Sequence, residues 1–353
     1  MNIIADTVRV VLVPFLILTG AVLLLLVCHV LVLHGIRELV FRRRQRLVAL
    51  YRPLVASALH DDDSAPSLAI LRSTPRRHLP VLSALAVEPL RALKGTITDR
   101  ARATAEALGL IGKWEDDLCH KRWWIRAEAA HSLGLVRHGS AVRPLIAALD
   151  DPHEEVRAAA VEALGLIGDP SAIPELVARL GEQSRHQRVR IVEALQQFGW
   201  TAVTPLLDHA RRHPEDLAIV ADLLGSLEAP AAAESLLSWS GHPRADVRAS
   251  VLRAIGAIGV DDRVYYHVLR ALTDEAADVR AAAAWALGRS GRQEAASYLA
   301  SRLQDEWIVA AQSARALRHL GAPGRRELEA AAALDQGELA RQMLWESGAE
   351  MPA

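Results

Sequence analysis

Only two cysteines occur in the 353 residues, Cys28 inside an apolar run and Cys119 among charged residues. A disulfide framework and a paired-cysteine metal knuckle are both excluded, and a reducing compartment fits. Aromatic residues are scarce at 4%, whereas alanine, leucine and arginine, all strong helix formers, are abundant. An all-helical (all-α) body follows. The formal net charge is −1, so the chain has no global field to draw in a polyanion, and nucleic acid is not an expected partner. Catalytic signatures are missing as well. Neither GxSxG nor GxxxxGK(S/T) occurs, the kinase signatures are absent, and no glycine-rich turn follows a convincing strand. The expectation is a protein that is not an enzyme, with no catalytic residue, no metal ligand, no cofactor and no small-molecule substrate.

What is present begins with a long apolar stretch. From Val10 to Leu33 there are 24 consecutive positions without a formal charge. As a helix at about 1.5 Å per residue they reach roughly 36 Å, more than the roughly 30 Å of a hydrocarbon core. A cleavable leader has a shorter apolar core, about 7 to 15 residues, behind a basic start. The start here, MNIIADTVR, is not basic. The pattern predicts one uncleaved transmembrane helix over residues 10–36. Arg9 is the only basic residue before it, whereas Arg37, Arg42, Arg43, Arg44, Arg46 and Arg52 follow it. Because basic residues resist translocation, the N-terminus is expected outside and everything after about Ile36 in the cytoplasm. Arg42, Arg43, Arg44 and Arg46 also suit contact with anionic lipid, at about 1 kcal/mol per charge, or serve only as topology signals. His29 and His34 read as tolerated polar groups near the basic end of the span.

Beyond the span the sequence repeats itself. Arg126, Arg157 and Arg188 are spaced by 31 residues, as are Leu133, Leu164 and Leu195. Arg248 and Arg280 continue the register at a step of 32. Within DPHEEVRAAAVEALGLIGDPSAIPELVARL, Val156, Ala160, Leu164 and Ile167 fall on one helical face, and the small alanines permit close approach of a neighbour. Gly168 and Pro170 then break the helix, and Pro174 opens a second one whose Ile173, Leu176, Val177 and Leu180 face back onto the first. One pair of helices cannot bury both faces. Stacking several pairs does, which predicts an α-solenoid.

Units such as DPHEEVRAAAVEALGLIGDPSAIPELVARL and ADVRASVLRAIGAIGVDD resemble the short HEAT-like repeats of phycobilisome lyases and many bacterial scaffold proteins. The likeness is strong from about Trp123 to Leu320 and weaker from Asp208 to Trp239, where the arginine is lost. One span followed by such repeats is similar to a group of bacterial single-pass membrane proteins. The resemblance implies a HEAT-like α-α superhelix in the bacterial inner membrane, with its repeats in the cytoplasm. The likeness to the lyases also implies bilin attachment as an alternative activity. Those lyases are soluble, however, and the likeness is confined to the repeat. A second comparison fails: the HEAT-like deoxyhypusine hydroxylase binds iron through His-Glu pairs on several repeats, whereas here His153 and Glu154 form one such pair.

Several charged and aromatic residues are candidates for a site. Asp151, Asp246 and Asp278 are placed to bond Arg157, Arg248 and Arg280 within or between units, a structural ladder in preference to an anion-binding stripe. His209 and His213, four apart, lack a third ligand and read as solvated surface. Trp285 reads as core, and at least one of Trp123 and Trp124 is expected to pack against the divergent N-terminal section. Trp124 with its basic neighbours is also a candidate recognition anchor. The second helices are expected to line the concave side, where Arg143, Glu175, Arg179, His209, Tyr266, His267, Arg270, Tyr298 and Arg302 would project towards a protein partner.

The expected organisation is a short extracytoplasmic N-terminus (1–9), the transmembrane helix (10–36), a basic juxtamembrane helical segment (37–65) and a divergent helical cap (66–122). HEAT-like repeats (123–325) follow, then a C-terminal capping helix and tail (326–353). Proline at positions 53, 66, 75, 80 and 89 is expected to break the region before the repeats, and HDDDSAP at 60–66 reads as an exposed turn. The function expected is a membrane-anchored scaffold or adaptor whose concave cytoplasmic face binds a protein partner, itself membrane-associated, such as an envelope glycosyltransferase. Two alternatives stay open. One is a bilin-lyase-like or other enzyme subunit, which an absorption spectrum and metal analysis would reveal. The other is an anionic-lipid surface sensor worked by the arginine cluster.

Overall fold

The computed structural model describes residues 2–60, 65–91, 96–181, 185–333 and 338–346. Among them every regular element is a helix or a 3₁₀ turn. Two compact units divide the chain between Trp114 and Glu115.

The first unit is built on α1 (Asn2–His60), a single 59-residue helix. From Leu18 onward it is long and apolar enough to cross a membrane by length and composition, with a mean hydropathy of 2.2 and none of its apolar window buried. Its final turns are different in kind. Tyr51, Val55, Ala58 and Leu59 are buried on one face, against α2 (Ala65–Arg72), α3 (Leu79–Val87) and α4 (Thr96–Ala107). Tyr51 Oη lies 2.9 Å from His78 Nδ1 in a hydrogen bond. Trp114, on α5 (Leu110–Asp117), donates its ring N–H to Ser83 Oγ at 2.8 Å. Pro53 does not break this region as the sequence suggests. The burial of Tyr51, Val55, Ala58 and Leu59 holds α1 helical through it, outweighing the lost backbone bond. Pro66 and Pro80 instead sit in the first turns of α2 and α3, where a missing N–H is harmless. The turn expected at 60–66 starts where α1 ends, and its residues 61–64 lie outside the described residues.

The second unit is a stack of helix pairs. In chain order they are α6 (Trp123–Val136) with α7 (Val142–Ala148), α8 (Glu154–Ile167) with α9 (Ile173–Ala178), and α10 (Arg185–Gln197) with α11 (Val203–Arg212). Next come α12 (Leu217–Ser226) with α13 (Ala233–Trp239), α14 (Ala245–Ile258) with α15 (Asp262–Ala271), and α16 (Ala277–Ser290) with α17 (Ala295–Ala300). The stack ends with α18 (Trp307–His319), α19 (Ala322–Ala332) and α20 (Glu338–Glu346). The weakly matching stretch 208–239 keeps its pair, with Val220, Leu223 and Leu224 buried. Local chemistry sets each corner. Gly168 takes the left-handed conformation at φ 74° to end α8, and Asp169 then accepts from the Ser171 N–H to start the turn that Pro170 opens.

The core runs the length of the stack. Leu133, Leu164, Leu195, Leu224, Ile255, Leu287 and Leu317 hold the same place on successive first helices, and all are buried. Each contributes about 1.5–3 kcal/mol when fully covered, and the cover comes from adjacent pairs.

Arginine ties α6 to the corner before α8, α14 to the corner before α16, and α16 to the corner before α18. Arg126 grips the Asp151 carboxylate with two bonds of 2.6 and 2.7 Å, Arg248 grips Asp274 at 2.9 and 2.7 Å, and Arg280 grips Asp305 at 3.0 and 2.6 Å. The third nitrogen of each guanidinium donates backwards to carbonyls at the head of its own helix, such as His242 O and Pro243 O at 3.0 Å from Arg248. The ladder therefore runs between units, and its rungs differ from those the sequence suggests. Asp246 pairs with Arg244 at 2.6 Å, Asp278 is exposed, and Asp151 offers Arg157 only its backbone carbonyl, at 2.8 Å. The reason is geometric: an acidic residue at the corner of the following pair sits over the guanidinium fork, whereas one in the same helix does not.

Candidate partner-binding surface

At five of the six steps along the row, the exception being α10 to α12, successive first helices approach backbone to backbone. A Cβ placed on Gly134 would stand 2.5 Å from Ala163 Cα, one on Gly225 would stand 2.7 Å from Ala254 Cα, and one on Gly288 would stand 2.7 Å from Ala316 Cα. Gly165 with Ala194 and Gly256 with Ala286 repeat the arrangement at 3.0 and 2.8 Å. The second helices touch their counterparts much less. A stack with one row spaced more tightly than the other bends towards the tight row. The first helices therefore line the inner side of this unit, which corrects the expectation that the second helices do.

The solvent face of that row is read from one helix. Glu155, Ala158, Ala159 and Glu162 fall at i, i+3, i+4 and i+7 of α8, and the corresponding residues of its neighbours continue the stripe. Open grooves follow it. One of 740 Å³ lies between α8 and α10, lined by Glu154, Glu155, His186, Arg190 and Glu193. Another of 320 Å³ is bordered by Trp123, Trp124, Glu128 and Glu162. A third of 650 Å³ runs over α14 and α16, past Asp222, Asp246, Arg253, Asp278 and Trp285 to Ile308 on α18. Small residues such as Ala158, Ala249 and Ala281 form the floor, and charged residues form the walls.

Tryptophans mark both ends of the stripe. Trp124 is 51% exposed, and Trp123 is stacked on His153 at 4.0 Å between ring centres. Both are surface residues, so neither is the packed residue that the sequence suggested. Trp307 is 77% exposed at the start of α18. Trp285 is half-buried and not core: one edge lies against Gly256, and the rest faces the groove with the Arg289 guanidinium 5.2 Å from its ring centre. Its neighbours are alanines, which do not cover an indole.

The second-helix candidates do not form one surface with these grooves. Arg143, His267 and Arg270 are exposed, as are Tyr266 at 73% and Tyr298 at 49%. Glu175 and Arg179 are engaged with each other at 3.0 Å, and Arg179 also bonds Asp150 at 2.9 Å, which ties α9 to the preceding pair. Arg302 is half-buried 3.6 Å from Asp305. His209 is buried, 2.8 Å from the Asp216 carboxylate, with its ring stacked on His213 at 4.5 Å. The sequence places it at the surface. Asp216, seven residues later and also buried, gives the imidazole the partner that permits burial. Among the described residues no group of three or more His, Cys, Asp or Glu side chains is arranged to hold a metal ion.

The ladder acids carry the clearest electrostatic shifts. The Arg126 guanidinium and the His153 N–H hold the Asp151 carboxyl below its ordinary value, against the upward push of burial. Arg280 does the same to Asp305. For Asp274 burial is the largest influence and acts upward, but Arg248 and the Ala276 N–H together outweigh it and the carboxyl is again lowered.

Sequence reasoning missed the groove residues, although their signal was present. The positions of Glu155, Ala158, Ala159 and Glu162 return with the period of Arg157 as Trp124, Ala127, Glu128 and His131 on α6 and as His186, Val189, Arg190 and Glu193 on α10, but their meaning depends on which row of helices lies inside the bend.

The fold and the repeat chemistry define the class: an all-helical HEAT-like solenoid. A family model for HEAT repeats matches residues 117–196 and 263–318. No curated protein matches the sequence. Among solved structures, the chain is similar to the complex of CpcE and CpcF of phycocyanin lyase from Nostoc sp. PCC7120. Identity is 21%, coverage is 67% of this chain and 94% of that one, and the TM-score is 0.34. It is similar at 12% identity to the karyopherin Kap121p bound to the extreme C-terminus of the protein phosphatase Cdc14p, over 84% of this chain with a TM-score of 0.41. There it spans only 45% of the other chain's length. An engineered protein is similar at 17% identity, over 84% of this chain and 88% of that one, with a TM-score of 0.32.

Proposed function

We propose that this protein is a membrane-anchored scaffold or adaptor, without a catalytic role, whose repeats bind another protein in the bacterial cytoplasm. The observation that carries the reading is the open row of first helices from α6 to α18, with grooves of hundreds of cubic ångströms and exposed tryptophans at both ends. Exposed Trp is a favoured anchor of protein interfaces. The exposed apolar length of α1 supports the anchor, and the exposed Arg42, Arg43, Arg44 and Arg46 beyond it support an N-out orientation. Tethering raises the effective concentration of any partner that shares the bilayer. The partner is therefore a membrane protein or membrane-bound complex, of which an envelope glycosyltransferase is one example. Affinity capture of the full chain from detergent-solubilised membranes tests this. Recovery of a membrane-embedded protein supports it, and recovery of soluble proteins alone contradicts it.

A further inference from the structure

The net charge of −1 conceals a local imbalance. Along the grooves of the first-helix row, Glu128, Glu154, Glu155, Glu193 and Asp278 have no ion pair among the described residues. Arg190 and Arg253 line the same grooves, with Arg253 already held by Asp222 at 3.3 Å, and Arg122 and Arg289 stand beside them on the Trp124 and Trp285 rings. The inner face thus carries unneutralised carboxylates over a floor of alanine, an arrangement that repels phosphate and attracts cations.

The aromatic residues make the same selection independently. Arg122 stands 5.4 Å from the ring centre of Trp124, and Arg289 stands 5.2 Å from that of Trp285. On α6 at one end of the face, and on α16 one helix short of the other end, an indole already carries a guanidinium supplied by the chain itself. Trp307, 77% exposed, has no such cover among the described residues. Arginine suits such a surface better than lysine, because its planar fork engages carboxylates in pairs and stacks on aromatic faces.

The geometry points to a specific occupant: an arginine- and lysine-rich segment of a partner protein, laid across the first helices from α6 towards α18. This deepens the scaffold reading above and rests on it. Seven first helices at about 9 Å spacing give a face roughly 55 Å long, room for about 16 residues of extended chain. The small floor residues admit the backbone, the carboxylates take the basic side chains, and the terminal tryptophans anchor the ends.

The test uses the full chain in neutral detergent at low salt and three fluorescent peptides of 16 residues. One alternates Arg and Lys with Ala, the second replaces every basic residue with Glu, and the third is residues 37–52 of this chain. The basic peptide should bind. Replacing Glu155, Glu162 and Glu193 together with Gln should weaken it at least about tenfold, as the summed loss of three partly exposed charge contacts requires. Glu234→Gln, an exposed site on second helix α13, should change affinity less than about twofold. No binding, equal weakening by Glu234→Gln, or equal affinity for the acidic peptide overturns the proposal. Binding of the 37–52 peptide alone would make the occupant a second copy and also overturn it. If the triple variant still captures the membrane partner at full yield, this inference fails while the scaffold reading stands. If the basic peptide binds but capture recovers no membrane protein, it is the scaffold reading that fails.

Discussion

Arg126 on α6 holds both carboxylate oxygens of Asp151, which lies twenty-five residues further on at the corner before α8, at 2.6 and 2.7 Å. Asp151 in turn accepts the N–H of His153 at 2.8 Å. One carboxylate thus joins a helix, the next corner and the start of the following helix, and Arg248 with Asp274 and Arg280 with Asp305 repeat the device.

Removing a rung should be costly. Both side chains of the Arg126–Asp151 pair are mostly buried, so Asp151→Ala leaves a guanidinium without its partner and should cost roughly 3 kcal/mol. Chemical denaturation of the full chain in detergent checks this, with Asp261→Ala, at an exposed cap site, as the milder comparison.

Acid should loosen the same rungs. The carboxyls of Asp151, Asp274 and Asp305 lie below their ordinary value of 3.8 in the folded chain. Their stabilisation is therefore complete above about pH 4 and is lost as pH falls through the folded values. Melting temperature measured from pH 7 to pH 3 should fall steeply at the acid end, and Asp274→Asn should lower the pH 7 value while flattening that fall.

The close approach of first helices gives a sign that helix propensity alone would get wrong. Gly134→Ala gains up to about 1 kcal/mol of intrinsic propensity, yet its methyl would stand 2.5 Å from Ala163 Cα. Overpacking typically costs about 1–3 kcal/mol, so the variant should be destabilised, and Gly134→Val more so. Gly139→Ala, with nothing within 4 Å of the added carbon, should be neutral in the same thermal melts.

Topology is open to direct labelling. Cys119 is exposed on the repeat side of α1, so in a Cys28→Ala background a membrane-impermeant maleimide should label intact spheroplasts weakly and lysed ones fully. Equal labelling of both would place the repeats outside.

The sequence already contained most of the stack. A 31-residue step in Arg126, Arg157 and Arg188, with leucine in the same register, is enough to predict paired helices, because a lone pair leaves its apolar faces wet. The partners of those arginines were not legible, since a rung between units depends on the offset of one corner over the next helix. Nor was the inner row. Gly134 and Ala163 are both small, but only their juxtaposition shows that the first helices are the tightly spaced ones. His209 went astray for a similar reason, since its burial depends on Asp216 folding back to meet it at 2.8 Å.

The most direct measurement is photo-crosslinking in native membranes from two positions of the full chain, Ala159 on the first-helix face and Tyr266 on a second helix. The account predicts an adduct between position 159 and a membrane-embedded protein, and little or none from position 266. Adducts from position 266 alone, or from neither position, would contradict it.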